Sequence, residues 1–196
     1  MVSTSIYSYS QLISLLQYTN YNREIPFNKY MGNLILEQNL FGLMMDIICK
    51  EKGNISFRAA WAVEYAFLKQ PDSFLNFVPQ FITYFHKTEN ESVRRLYGKI
   101  MYILLSKKWL VTDIDTAESI AETVCQWLTS PKAKIGNKIW CLNILQILNS
   151  QVEWITEVME NIIAKESVSP TPGMKCFIRK LRQCHYFKNT LQNSPI

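Results

Sequence analysis

Helical periodicity is the feature that most constrains the fold of this chain. Apolar residues recur three and four positions apart, as in the stripe Val93, Leu96, Ile100, Ile103 and Leu104, which is the spacing of one buried helix face. No segment shows a convincing alternation of apolar and polar residues with the period of two that a half-buried strand requires. The chain is therefore predicted to be all-α, with helices over residues 9–19, 29–38, 39–51, 55–69, 72–86, 91–107, 113–129, 133–149, 152–165 and 172–187.

The length and composition predict one domain with a substantial core. The chain has 196 residues, of which 48% are apolar, and a chain of this size can bury enough surface to fold without disulfides or a metal. We expect a single domain over 1–196. Within it, residues 1–38 are predicted to form N-terminal capping helices, 39–187 to form repeats, and 188–196 to be a frayed tail.

Alternate predicted helices open in a similar way, which indicates an internal repeat. The openings are Phe57-Arg58, Val93-Arg94, Ile135-Gly136 and Met174-Lys175, and their apolar residues are 36, 42 and 39 positions apart. A period near 40 residues fits one helical hairpin per repeat, and a hairpin buries its apolar face only by stacking on its neighbours. We therefore expect an α-solenoid of about four to five hairpins, with a plain helical bundle as the alternative.

Two segments carry a resemblance to a known family. Ile55–Glu64 (ISFRAAWAVE) and Ser92–Ile100 (SVRRLYGKI) resemble the second helices of HEAT-like repeats. They are most similar to those of a family of small bacterial HEAT-like α-solenoid proteins of unknown function, over residues 39–187. The resemblance implies a superhelix in which the second helix of each hairpin lines the concave side. It supports a fold rather than an activity.

Charge is segregated between the two kinds of helix. The chain carries a net charge of +5, but the second helices (55–69, 92–108, 132–148 and 173–188) sum to +14, and the first helices 72–86, 113–128 and 153–165 sum to −7. With the geometry that the resemblance implies, this predicts a basic concave surface, which would attract an anionic partner. The predicted partner-binding residues are Arg58, Arg94, Arg95, Lys99, Lys134, Lys138, Lys175 and Arg179.

Two functions follow from a basic concave surface. The first is a non-catalytic scaffold that binds an acidic protein surface. The alternative is a nucleic-acid binder that resembles the HEAT-like alkylpurine DNA glycosylases, for which Glu64 with Trp61 or Tyr65 is the nearest match to a central site, and Tyr97 is a candidate for base stacking.

The same basic residues also admit an internal role. Arg58, Arg94 and Lys175 could join neighbouring repeats, and Glu64 could pair with Arg94 or Arg95 of the next repeat. Arg94, Lys134 and Lys175 lie near predicted helix N-termini, where the helix dipole disfavours a cation and calls for a compensating partner.

The sequence offers little for catalysis. His86 and His185 lack the spacing of metal ligands, and no glycine-rich phosphate-binding loop is present. We therefore expect no enzyme, catalytic residue, cofactor, metal or small-molecule substrate. The tryptophans, at most one per helix, are expected in the core.

The cysteine pattern and the lack of long apolar runs indicate the cellular compartment in which the protein is expected. The five cysteines form no CxxC pair, which favours a reducing compartment. The start of the sequence lacks the pattern of a signal peptide, and no apolar run is long enough to span a bilayer. We expect a cytoplasmic protein with no membrane partner.

Overall fold

The helical prediction is confirmed over the residues that the structure describes. A computed structural model of the chain describes residues 7–18 and 25–183, which form an all-α protein with no β-strand among them. The predicted tail at 188–196, together with Cys184 and His185, lies outside the described residues. The helices are α1 (Tyr9–Tyr18), α2 (Phe27–Gln38), α3 (Phe41–Lys50), α4 (Gly53–Lys69), α5 (Asp72–Leu75), α6 (Val78–Lys87), α7 (Glu91–Ser106), α8 (Ile114–Thr129), α9 (Ile135–Leu148), α10 (Ile155–Ser167) and α11 (Pro172–Gln183).

One predicted helix, over 72–86, is divided into α5 and α6. Proline has no amide hydrogen, so Pro79 cannot donate the helical hydrogen bond to the carbonyl of Leu75. The chain makes a tight turn instead, with Phe77 N donating to Phe74 O at 2.8 Å. The second helix then begins at Val78 with the proline in its first turn, which is where helices tolerate proline best.

The described residues fall into two units, Met1–Ile100 and Met101–Ile196, and the division lies within α7. The single domain over 1–196 stays a prediction. A chain of edge-on ring contacts forms the centre of the first unit. Phe74 lies 5.2 Å from Phe41, 5.1 Å from Phe67 and 5.5 Å from Phe81, and Phe81 lies 4.9 Å from Tyr97. These rings join α3, α4, α5, α6 and the first part of α7 into one core.

In the first unit, residues that join neighbouring helices are separated by a similar number of positions in sequence, 34–38, which we call the offset. Asn90 Nδ2 donates to Gly53 O, 37 positions earlier, and Lys99 bonds to Glu64, 35 positions earlier. The earlier residue of α4 pairs with the earlier residue at α7 and the later residue with the later one, so the two helices lie side by side and parallel. The α3 and α6 helices are related in the same way, because Gln80 bonds to Gly42 and Tyr84 to Asp46, each 38 positions earlier.

The second unit shows the same offset. Trp154 Nε1 donates to Glu118, 36 positions earlier, and Thr112 donates to Gln151, 39 positions later. Helix α9 packs against α8, α10 and α11. In each unit, therefore, helices that hold the same place in successive predicted hairpins lie beside each other, and the residues that join them are 34–39 positions apart in sequence. This separation is close to the 36 residues between Phe57 and Val93.

Candidate partner-binding surface

Arg58, the first of the predicted partner-binding residues, is engaged within the first unit. Its guanidinium lies 4.0 Å from the ring centre of Phe27, and its Nη1 donates to Gln17 O at 3.4 Å. A guanidinium over an aromatic ring is attracted by the electron-rich face of the ring's quadrupole. Arg58 therefore ties α4 to α1 and α2.

Arg94 is held by groups next to it in the chain. Its Nη1 lies 2.6 Å from Glu91 Oε1, and its Nε donates to Thr88 O at 2.9 Å. The side chains of both Arg94 and Glu91 are less than one fifth exposed. Glu91 lies in the first turn of α7, so its negative charge offsets the cost of a cation near the helix N-terminus. The compensating partner of this cation is thus internal.

Glu64 pairs with Lys99, not with Arg94 or Arg95, so the expected pairing was wrong. Lys99 Nζ lies 2.9 Å from Glu64 Oε1, and Glu64 is only 8% exposed. The offset between α4 and α7 explains why Glu64 pairs with Lys99, because it places Glu64 beside Lys99, one helical turn beyond Arg95. Arg95 itself is exposed.

In the second unit, one of the four predicted residues has an internal partner. Lys138 forms an ion pair with Glu166 at the end of α10. Lys134, Lys175 and Arg179 are exposed. Arg179 makes a long contact of 3.9 Å with Cys176 Sγ, and no described carboxylate lies within ion-pair distance of these three cations.

Helix α11 presents its cations on a side opposite to a buried apolar side. Met174, Phe177, Ile178 and Leu181 are buried, whereas Lys175, Arg179 and Lys180 are exposed. The helix begins with Thr171, whose hydroxyl accepts from Met174 N at 3.3 Å. Burial of four large side chains holds the helix firmly, so the exposed cations lie on a fixed support. Cys176 on the same helix is also exposed.

The starts of α9 and α11 lie together. A β-carbon placed on Gly173 would lie 3.4 Å from Ile135 Cγ1, so the first turns of the two helices touch. Lys134 directly precedes Ile135, and Lys175 follows Gly173 by two positions. We define the basic surface as the exposed residues Lys134, Lys175, Arg179 and Lys180.

The acidic residues on helices of the second unit lie on α8 and α10, and none lies on α9 or α11. Asp115, Glu118 and Glu122 on α8 are exposed, as is Asp113, whose carboxylate caps the helix by accepting from Thr116 N at 2.8 Å. A hydrogen bond from the Thr116 side chain, followed by this backbone hydrogen bond, lowers the pKa of Asp113. Charge segregation between helices is therefore present within this unit.

Tyr97, the residue considered for base stacking, is not open to a base. Tyr97 is fully buried, its hydroxyl has no hydrogen-bond partner among the described residues, and burial raises the pKa of that hydroxyl. Trp61 stacks on Phe57 with ring centres 6.0 Å apart. Glu64 is buried against Lys99. Of the side chains matched to a glycosylase-like centre, Glu64 is engaged internally, whereas Trp61 and Tyr65 are partly exposed.

The first unit contains a cavity of about 490 Å³ near the starts of α4 and α7. Its wall carries Lys52, Lys87, Glu51 and Glu89, so its formal charges balance, and it contains no histidine. His86 on α6 is outside this wall, and burial lowers its pKa. The hydroxyls of Ser56 and Thr88, both on the wall, donate to backbone carbonyls.

Metal-binding and membrane-spanning features are absent from the described part of the chain. It has no group of three or more His, Cys, Asp or Glu residues arranged to hold a metal. None of its helices is long and apolar enough to cross a bilayer. Comparisons with family models, curated proteins and solved structures find no match to this chain.

Proposed function

We propose that the chain is a non-catalytic helical-repeat scaffold that binds an acidic protein segment on the basic surface of Lys134, Lys175, Arg179 and Lys180. The observation that carries the proposal is the exposure of these four cations on adjoining helix starts and on one side of α11. Cations that pair with no described carboxylate attract the carboxylates of a partner, and the packed backbone of α11 beneath three of them needs little further ordering on binding.

The repeat part of the proposal is supported by the offset between packed helices. Side-chain hydrogen bonds join positions 34–39 residues apart in both units. A plain bundle has no requirement for such an interval, whereas stacked hairpins of equal length produce it at every step. We propose that these hairpins form an α-solenoid and that its second helices carry the basic surface.

The four residues with internal partners are removed from the proposed binding set. Arg58, Arg94, Lys99 and Lys138 already contact an aromatic ring, a carbonyl or a carboxylate. A partner would have to break those contacts before it could bind the same cations. Of the residues predicted from the sequence, Arg95, Lys134, Lys175 and Arg179 are the exposed ones.

The test is binding of a fluorescent oligoglutamate peptide, followed by anisotropy over a range of sodium chloride concentrations. We expect saturable binding that weakens with salt. The double variant Lys175→Glu and Arg179→Glu should weaken binding at least about tenfold, because two attractive charges become repulsive. The matched control, Lys29→Glu and Lys52→Glu, changes the same total charge on exposed residues of the first unit.

Three results would count against the proposal. Absence of peptide binding at low salt would contradict it directly. Equal weakening by the control pair would show that net charge, and not this surface, governs binding. Tighter binding of duplex DNA than of the peptide, with a steep salt dependence set by the phosphates neutralised, would favour the nucleic-acid alternative.

A further inference from the structure

A loop of the second unit exposes apolar side chains. Between α7 and α8, Trp109 is 39% exposed, Val111 83% and Ile114 66%. They are three of the seven large apolar residues that are exposed in the described part of the chain, and they fall within six positions. Trp109 was expected in the core. Together these side chains expose on the order of 300 Å² of apolar surface, a patch size that often marks a binding site.

The loop is held rigidly at both ends. The amides of Trp109 and Leu110 both donate to Leu104 O, at 2.9 and 3.1 Å. Thr112 Oγ1 donates to Gln151, and Asp113 caps α8. Lys108 adopts a left-handed φ of 56°, which is uncommon for a residue other than glycine. A loop fixed in this way loses little entropy on binding.

The charges at the two ends of the loop are opposite. Lys107 and Lys108 precede the apolar residues, and Asp113 and Asp115 flank Ile114, with all four exposed. A two-fold axis near Val111 would place the basic end of one loop against the acidic end of the same loop in another copy. Such a surface is complementary to itself, as a closed dimer requires.

We propose that residues 107–115 form a self-association surface that pairs with the same residues of a second copy of the chain. The apolar side chains would form the centre of the contact and the charges its rim, which is the usual arrangement of a protein interface. An anionic membrane is a poorer fit, because its headgroups would attract Lys107 and Lys108 but repel Asp113 and Asp115, whereas a second copy satisfies both ends of the loop. The apolar area is below that of a standard interface, so the dimer is expected to be weak.

The first test is sedimentation velocity on the full chain from about 10 µM to about 1 mM. We expect a monomer–dimer equilibrium with a Kd on the order of 100 µM. The variant Val111→Ser with Ile114→Ser should raise the Kd at least about tenfold, because it removes the centre of the contact. Val168→Ser is the matched control, since Val168 is 87% exposed at the end of α10.

The second test is oxidative cross-linking in a background with Cys49, Cys176 and Cys184 replaced by serine. We expect Val111→Cys to form disulfide-linked dimers at least several times faster than Val168→Cys. Lys107→Glu with Lys108→Glu should slow the Val111→Cys reaction, because both ends of the loop then carry negative charge.

The outcomes that overturn the proposal are distinct from failure of the proposed function. A monomer over the whole concentration range overturns it, and so does equal cross-linking at positions 111 and 168. Flotation with anionic vesicles in a chain that does not self-associate would assign the loop to a lipid surface instead. Peptide binding at the basic surface is a separate measurement on other residues.

Discussion

Most of the predicted binding cations of the first unit have internal partners, whereas most of those of the second unit pair with no carboxylate among the described residues. In the first unit, Arg58, Arg94 and Lys99 contact a ring, a carbonyl or a carboxylate within the unit. In the second, Lys134 and Lys175 occupy comparable positions at helix starts but are exposed and unpaired within the described residues. A basic residue at a repeated position therefore does not have a repeated role. What decides the role is whether an aromatic ring, a carbonyl or a carboxylate of the same unit lies within reach of the cation.

The largest expected effect concerns the pair of Lys99 and Glu64. Changing Lys99→Met leaves a carboxylate that is only 8% exposed without its cation, and an uncompensated buried charge is costly. Because Lys99 is itself partly exposed, we expect the free energy of unfolding to fall by about 2 kcal/mol. Urea denaturation measures it. In the double variant with Glu64→Gln, most of the loss should be recovered; a loss equal to the sum of the two single variants would show that the pair is not coupled.

A smaller effect is expected for Arg94, with Arg95 as its matched control. Arg94→Ala removes the ion pair with Glu91 and the hydrogen bond to Thr88 O, so we expect a loss of about 1 kcal/mol. Arg95→Ala, on the next residue of the same helix, should change stability by less than about 0.5 kcal/mol because its side chain is exposed. Equal losses for the two variants would remove the distinction between internal and exposed cations.

The contrast between Arg94 and Arg95 also shows what the sequence could predict. Helix positions follow from local periodicity, and over the described residues the predicted segments match the observed helices to within a few positions, apart from the break before Pro79. The pairing of charges depends on the offset between helices, which no single helix encodes. The signal was nevertheless present, since adding the 36-residue spacing of Phe57 and Val93 to position 64 gives 100, beside Lys99.

The exposed loop could not have been predicted by the same reasoning. Tryptophan is a common core residue, and its position between two helices gives no indication of which way the side chain points. The exposure of Trp109 depends on how the chain leaves α7, through the left-handed conformation of Lys108. That conformation is rare enough for lysine that sequence pattern does not indicate it.

Alkaline pH provides a third test, directed at the first unit. Burial, followed by the hydrogen bond from the Tyr9 hydroxyl to Glu51, raises the pKa of Tyr9 from 10.0 to about 12. The unfolded chain loses this proton first, so stability is complete below pH 10 and falls as the pH rises towards 12. The hydrogen bond to Asp46 raises the pKa of Tyr84 in the same direction.

The measurement is urea denaturation of the wild type and of Tyr9→Phe at neutral pH and at several values above pH 10. Phenylalanine has no hydroxyl proton to lose, so the variant should show a shallower decline in stability over the alkaline range. At neutral pH, the two proteins should differ only by the loss of one hydrogen bond. An identical alkaline decline in both proteins would exclude Tyr9 as a contributor.

The smallest expected change in stability is for the exposed cations of α11 in the second unit. Lys175→Ala and Arg179→Ala, alone or together, should change the free energy of unfolding by less than about 0.5 kcal/mol, because neither side chain pairs with a described carboxylate. A cation that holds helices together would behave like Lys99, and a cation that serves a partner would leave the fold unchanged. If the double variant instead lowers stability by as much as Lys99→Met, the cations of α11 are structural, and the basic surface loses its claim to bind a partner.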